Sequence, residues 1–178
     1  MITTVTAPTM RAVTLEEARQ QLRLDANDED MLLAVHLDAA QAELERAADL
    51  RLCPQTLAMV FEAWADEITV PVRPVSVAVI TCTGTDGTSV TLPEADYVAR
   101  ARYGFMRIRP AAGTSWPALG PDGQITITLL AGFAEGDPDL AIARAAILVK
   151  TASLFENREG AACLAFDTLV NQLAAKWI

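Results

Sequence analysis

The sequence changes character at QTLAMVFEAW, residues 55–64. Before this stretch, apolar residues recur at three- and four-residue steps, as at Leu33, Leu37 and Leu44, a spacing that is typical of one face of an α-helix. The stretch itself and the segments that follow it have the composition of short β-strands. The sequence therefore predicts a change from helix to sheet at Gln55.

The strand-like composition continues to residue 131. Residues 75–82 are rich in β-branched side chains, which favour strands. Asp86-Gly87 marks a tight hairpin turn. Further strand-like segments occupy residues 68–72, 88–92, 97–99, 105–109 and 124–130. Together they predict a small antiparallel β-module of about seven short strands over residues 55–131.

Two helices are predicted within residues 14–50, ahead of the β-module. Thr14 followed by Glu17 is a capping box, the reciprocal hydrogen-bonding pattern that begins a helix. The second helix is expected to run from about Glu29 to Leu50, and Pro54 closes the segment. Residues 1–13 are polar and β-branched with one proline, and they are predicted to form a loose N-terminal arm.

The pattern returns to helix over residues 138–177. Asp137 and Pro138 suit the start of a third helix, because proline lacks the N–H that the first turn leaves unsatisfied anyway. A last helix is expected over about residues 161–177. We therefore predict one α+β domain over residues 1–178, with a mainly helical body and an inserted small antiparallel β-module.

The third helix contains the run AIARAAILVK, residues 141–150, followed by FENRE, residues 155–159. The run is too apolar all round for a helix that shows one face to water. One interpretation is a core helix with a solvated last turn. The other is a helix that packs between subunits. The second interpretation assigns to the subunit interface Ile147, Leu148, Phe155, Asn157, Arg158 and Glu159.

The last helix carries an apolar stripe that extends to the end of the sequence. Chain ends are usually polar and frayed, and tryptophan is enriched at binding hot spots. The stripe therefore either packs on its own domain or docks into a partner. The residues assigned to docking are Phe166, Leu169, Leu173, Trp177 and Ile178.

Composition and charge exclude several classes of protein. The formal net charge is −9, and no five-residue window is rich in basic residues, so a tight grip on DNA is not expected. The longest apolar stretch is too short to cross a bilayer, and no secretory signal is expected. Cys53, Cys82 and Cys163 are widely spaced and fit three quiet buried thiols in a reducing compartment.

The sequence offers no recognisable catalytic, metal or cofactor motif. His36 is the only histidine, which argues against a catalytic triad and against a zinc site. Asp25, Asn27 and Glu29 have the spacing of calcium ligands, but Asp30 and His36 stand where the calcium loop needs glycine and glutamate. We therefore expect a binding or structural protein without cofactor or metal. An α+β enzyme or ligand-binding domain that uses carboxylates stays open as the alternative.

The order of features resembles the head–tail connector proteins, also called adaptor or head-completion proteins, of long-tailed phages and phage-derived gene transfer agents. The matching residues span some 150 positions. They are Thr14-Leu15-Glu16-Glu17-Ala18, Leu22-Arg23-Leu24-Asp25, Asp28-Glu29-Asp30, Ala39-Ala40, Glu43, Gln55-Thr56, Arg73-Pro74-Val75, Val77, Asp96-Tyr97, Trp116-Pro117, Ala131-Gly132-Phe133, Pro138, Ile142, Ala145 and residues 155–159. The sequence has one proline at Arg73-Pro74 where the family often has two.

The resemblance implies a structural virion protein and not an enzyme. Such proteins form a dodecameric ring in the neck, between capsid and tail, after assembly in the bacterial cytoplasm. The ring contacts the portal protein on one side and a stopper or tail-completion protein on the other. DNA passes through it without specific binding, and no membrane is involved. Another neck protein, a stopper or tail terminator, is a further alternative, although stoppers tend to be mainly β.

Overall fold

The computed structural model describes residues 1–24, 29–157 and 162–174. These residues form four α-helices, one short 3₁₀-helix and two antiparallel sheets, which confirms the predicted α+β class. They divide into two compact units. The β unit contains residues 1–8 and 54–132, and the helical unit contains residues 9–53 and 133–174.

The larger sheet of the β unit has five strands in the order β1-β2-β8-β4-β5. Its strands are β1 (Ile2–Thr6), β2 (Gln55–Phe61), β4 (Val75–Thr83), β5 (Ser89–Thr91) and β8 (Ile125–Ala131). The central strand β8 alternates buried Ile125, Ile127 and Leu129 with less buried Thr126 and Thr128. This period of two places one face of the sheet in the core.

Strand β1 corrects the prediction of a loose N-terminal arm over residues 1–13. Residues 2–6 pair antiparallel with β2, with Ile2 opposite Met59 and Thr4 opposite Leu57. The segment Ile-Thr-Thr-Val-Thr consists entirely of β-branched residues, which favour strands. The partner strand lies some fifty residues away in sequence, so this pairing is not visible locally.

The smaller sheet of the β unit has three strands in the order β3-β7-β6. They are β3 (Ile68–Thr69), β6 (Tyr97–Arg102) and β7 (Phe105–Pro110), and a 3₁₀-helix (Glu94–Asp96) precedes β6. Tyr103 and Gly104 connect β6 to β7 with φ angles of 53° and 85°. Two successive positive φ angles are typical of the tightest hairpin turns, whose twist matches that of the strands.

Two tryptophans connect the long loop between β7 and β8 to the segment between β2 and β3. The rings of Trp64 and Trp116 stack with their centres 4.4 Å apart and their planes 9° apart. Each indole also donates a hydrogen bond across the contact: Trp64 Nε1 to the Pro117 carbonyl at 3.0 Å, and Trp116 Nε1 to the Ala65 carbonyl at 2.8 Å. The two aromatic side chains thus hold otherwise irregular chain in one arrangement.

The helical unit packs four helices around one apolar core. They are α1 (Leu15–Leu22), α2 (Asp30–Ala47), α3 (Pro138–Glu156) and α4 (Leu164–Leu173). The predicted capping box is present, because the Thr14 hydroxyl accepts from the Glu17 N–H and the Glu17 carboxylate accepts from the Thr14 N–H. Hydrogen bonding to the Thr14 N–H, together with an ion pair to Arg144, lowers the pKa of Glu17.

Helix α3 contacts α1, α2 and α4. Its most buried side chains are Ala143, Ala146, Ile147 and Thr151. Ion pairs tie it to its neighbours, from Arg144 to Glu17 and from Lys150 Nζ to Glu43 at 2.8 Å. The apolar run at residues 141–150 is therefore accounted for largely by packing inside its own unit. None of the described helices has the length and apolar character needed to cross a membrane.

Candidate functional site

The residues assigned to the subunit interface differ widely in exposure. Ile147 is only 1% exposed and belongs to the core of its own helical unit. Leu148 and Phe155 are half-buried against that core, whereas Asn157 is exposed and caps the end of α3. Arg158 and Glu159 lie outside the described residues. The assignment of these residues to an interface stays a prediction.

The residues assigned to partner docking follow the same division. Phe166 and Leu173 are buried in the helical core, and Leu169 is half-buried against it. Lys150 Nζ lies 5.1 Å from the centre of the Phe166 ring, a cation–π contact. Trp177 and Ile178 lie outside the described residues, so docking by the C-terminal segment also stays a prediction.

Helix α2 presents apolar side chains that sequence reasoning did not single out. Met31 is 84% exposed and Val35 is 59% exposed, and the two lie one helical turn apart. Leu32 beside them is partly exposed as well. The periodic apolar residues of α2, such as Leu33 and Leu37, are buried on the other face of the helix. Their spacing identifies the core face of α2 and gives no sign that Met31 and Val35 are exposed. We call Met31, Leu32 and Val35 the α2 apolar patch.

The single histidine and the three cysteines of the chain are buried or half-buried. His36 is half-buried on α2 with its ring edge-on to Phe155, 6.4 Å between centres. Burial raises the pKa of the Cys53 and Cys82 thiols, which disfavours the reactive thiolate. Cys163 was predicted to be buried, but it is only half-buried. Within the described ranges, no three His, Cys, Asp or Glu side chains converge as metal ligands.

A cluster of positive charge lies on the three-stranded sheet. Arg100 stands directly opposite Arg107, and Val98 stands opposite Arg109. Opposed residues, and residues two apart on one strand, project from the same face of a sheet. Four arginines therefore share one face, which we call the arginine face. An open cavity of about 170 Å³ there is lined by Glu67, Val98, Arg100, Arg102, Arg107 and Arg109.

Among the described residues, a single carboxylate offsets charge on the arginine face. Arg107 Nη1 donates to Glu67 Oε1 at 2.6 Å. The Nε atom of Arg107 is shielded from solvent and has no hydrogen-bond partner in the described part of the chain. Arg102 lies over the Tyr103 ring, 5.2 Å from its centre. Guanidinium groups present several N–H donors in a fixed plane, so this face is suited to binding carboxylates or phosphates.

A search of five-residue stretches for clustered basic residues does not find the arginine face. Arg-Ala-Arg at residues 100–102 and Arg-Ile-Arg at residues 107–109 each hold two basic residues, which is unremarkable alone. The hairpin doubles that number by placing the two segments side by side. The arginine face could have been predicted from another pattern, because arginine alternates at every second position on both sides of Tyr103-Gly104, which form a two-residue turn.

Comparison with known proteins gives similarity to solved structures alone, because no protein-family model and no curated protein sequence matches the chain. The chain is similar to one in the neck of an empty gene transfer agent particle, computed with C6 symmetry, and to one in the virion of a native gene transfer agent particle. In both cases the TM-score is 0.81 at 25% identity, over 100% of this chain and 97% of the other.

A third similar chain belongs to the neck of a native gene transfer agent particle computed with C12 symmetry. The TM-score is 0.75 at 24% identity, with the same coverage of both chains. All three similarities extend over the full length of this chain and include both compact units. They support a structural protein of the virion neck.

Proposed function

We propose that this chain is the adaptor subunit of the neck in a phage-derived particle. In this role, copies of the chain assemble into a ring that joins the portal to the tail and continues the DNA channel. The observation that carries the proposal is the similarity over the whole chain to structures from gene transfer agent necks and virions, at a TM-score of 0.81. The C6 and C12 symmetries of the similar necks favour a ring of twelve copies.

The surface of the helical unit supports assembly. The α2 apolar patch exposes Met31 and Val35, and exposed apolar groups often mark contact with another protein. Leu148 and Phe155 are half-buried, so each has part of its surface available to a neighbour. A ring needs contacts between two different faces of each subunit. The α2 apolar patch and the end of α3 are our candidates for such faces.

The charge of the chain fits a ring through which DNA slides. The net charge is −9 per chain, and an acidic surface repels the phosphate backbone at long range. We therefore propose passage of DNA without specific binding, no catalytic role, and contacts with a portal protein on one side and a stopper or tail-completion protein on the other. Assembly is proposed to take place in the bacterial cytoplasm.

Mass measurement tests the ring. We expect native mass spectrometry of the purified protein at high concentration to show an oligomer of twelve 19.1-kDa chains, because ring closure gives every subunit two neighbours. A variant with Met31 and Val35 both changed to Ser removes the exposed apolar groups of the α2 apolar patch without touching the core, and we expect it to assemble less than the wild type. A strictly monomeric wild-type protein that turns over a small-molecule substrate would contradict the proposal.

Deletion of residues 174–178 tests docking to the portal by the C-terminal segment. The deletion leaves Leu173, the last buried residue of α4, in place. If the segment docks, the shortened protein keeps its helix content and melting temperature but fails to join portal-bearing capsids. If it melts at a lower temperature and still attaches, the segment belongs to the subunit core and portal docking lies elsewhere.

A further inference from the structure

We infer that the arginine face is a subunit contact, and that it binds carboxylates on the helical unit of the next copy of this chain. The inference rests on the proposed ring and adds to it a further contact between subunits, made by the β unit. It also gives the β unit a part in assembly, beside the helices that sequence reasoning assigned to the interface.

The first step is the excess of positive charge on the arginine face. Arg100, Arg102 and Arg109 are exposed and form no ion pair with any described residue. Arg100 also stands directly opposite Arg107, and like charges in opposed positions of a sheet repel each other. A lone subunit therefore keeps an arrangement that is unfavourable by itself, and an anionic partner would relieve it.

The second step is the location of the negative charge. The segments that carry the helices, residues 9–53 and 133–178, hold 16 of the 23 acidic residues and nine of the 14 basic ones, which makes a net charge of −7. The β segments hold the other five basic residues, four of them on the arginine face. The acidic excess is thus larger on the helical segments, whereas four of the five basic residues of the β segments are gathered on one face. A cluster of positive charge and an acidic surface on the next copy would complement each other in a repeating contact.

Several carboxylates of the helical unit are available for this contact. They are exposed and have no ion pair within the described part of the chain: Asp49, Glu135, Asp139, Glu156 and Asp167. Other acidic residues of the unit, such as Glu17 and Asp38, are already paired with arginines of their own subunit.

The third step is the mode of binding, which one pair already displays. Glu67 accepts from Arg107 at 2.6 Å inside the cavity, so a carboxylate fits there. Guanidinium and carboxylate groups match as parallel two-pronged pairs, and arginine is enriched in the cores of protein interfaces. Glu67 and Arg107 form one such hydrogen bond, and Arg100 and Arg109 form no ion pair within the described part of the chain, so their N–H groups are available to a carboxylate of the next copy.

Phosphates of the passing DNA are the competing occupant, and the charges favour the protein. A chain of net charge −9 repels a polyanion at long range, and DNA binding needs a basic surface that extends beyond a few contacts. Glu67 inside the cavity adds a local negative charge. A second copy, in contrast, presents single exposed carboxylates on its helical unit.

Zero-length cross-linking tests the contact directly, because the chain has only two lysines, Lys150 and Lys176. In the variant Arg100→Lys with Arg109→Lys, the positive charge remains, and each position now carries an amine that forms an amide with a nearby carboxylate once carbodiimide has activated that carboxylate, with release of the urea. A mixture of isotope-labelled and unlabelled protein distinguishes links between copies from links within one copy. We expect links between copies, from position 100 or 109 to carboxylates in residues 9–53 or 133–178. Arg46→Lys, an exposed position on α2, is the matched control.

Charge reversal supplies the functional measurement. Arg100→Glu with Arg109→Glu should raise the concentration needed for half-assembly by about tenfold or more, with circular dichroism unchanged. Arg23→Glu with Arg46→Glu has the same net charge and alters exposed arginines outside the arginine face, so it should have a much smaller effect. Added salt should weaken wild-type assembly more than assembly of the reversed variant.

The outcomes separate this inference from the proposed function. Rings that form normally in the Arg100→Glu, Arg109→Glu variant, or cross-links confined to single copies, would overturn the inference and leave the ring intact. Wild-type binding to duplex DNA that the same variant abolishes and the control retains would assign the face to phosphate instead. A wild-type protein that never assembles would overturn the inference and the proposed ring together.

Discussion

Replacement of Ile147 by Asp is expected to unfold the helical unit. Ile147 is 1% exposed and lies on α3 in the core of that unit. A carboxylate placed there has neither water nor a positive partner, and an uncompensated buried charge costs roughly 3–5 kcal/mol. That is a large part of the ~5–15 kcal/mol that stabilises a typical domain. Loss of helical circular dichroism at low urea concentration would be the direct measurement.

Leu148→Asp is the matched control one residue along the same helix. Leu148 is half-buried, so its carboxylate can reach water and the cost should be about 1 kcal/mol. We expect this variant to fold and to lose assembly if Leu148 lies in the subunit interface. Equal destabilisation by the two substitutions would show that the burial of Ile147 and Leu148 does not differ as described.

The stacked tryptophans predict the second large effect. Trp64→Ala and Trp116→Ala should each destabilise the β unit by about 2 kcal/mol, less than a fully buried tryptophan would, because both rings are half-buried. Each change removes the stacking contact and one indole hydrogen bond. The double variant should therefore cost less than the sum of the single variants, by about 0.5–1.5 kcal/mol for the stacking contact alone.

A conservative variant separates stacking from hydrogen bonding. Trp116→Phe retains an aromatic ring but cannot donate to the Ala65 carbonyl, and it should cost about 0.5–1.5 kcal/mol. Urea unfolding followed by circular dichroism gives all four values. Strict additivity of the two alanine substitutions would mean that the rings do not support each other.

Much of the fold could be predicted from short stretches of neighbouring residues. The capping box at Thr14 and Glu17, proline at the start of α3, and the β-branched segment of β4 each depend on neighbouring residues only. The helix–sheet–helix order follows from the same signals. Strand β1 has a local signal in its five β-branched residues, but its partner β2 begins some fifty residues later, so the pairing that orders it was not predicted. Pairing over such distances is decided by the folded sheet and not by local preference.

The candidate sites depend even more than the fold on contacts between residues that are distant in sequence. The apolar run on α3 suggested a surface for a neighbour, yet α1, α2 and α4 cover much of it. Conversely, the arginine face forms only when β6 and β7 pair. The α2 apolar patch can be recognised only when it is known that Leu33 and Leu37 form the buried face of α2. A helix pattern tells which residues are apolar, whereas the tertiary packing decides which of them remain exposed.

The division into two units has a consequence for synthesis on the ribosome. The β unit has all eight strands once residue 132 has been made, whereas α1 and α2 are complete by residue 53 and must wait for α3. At about 5–20 residues per second, the roughly 100 residues from residue 53 to the end of α3 take about 5–20 s. During that interval Leu33, Leu37 and Leu44 lack their final neighbours. We therefore expect the nascent α1–α2 segment to keep its apolar core side chains exposed until α3 has been made.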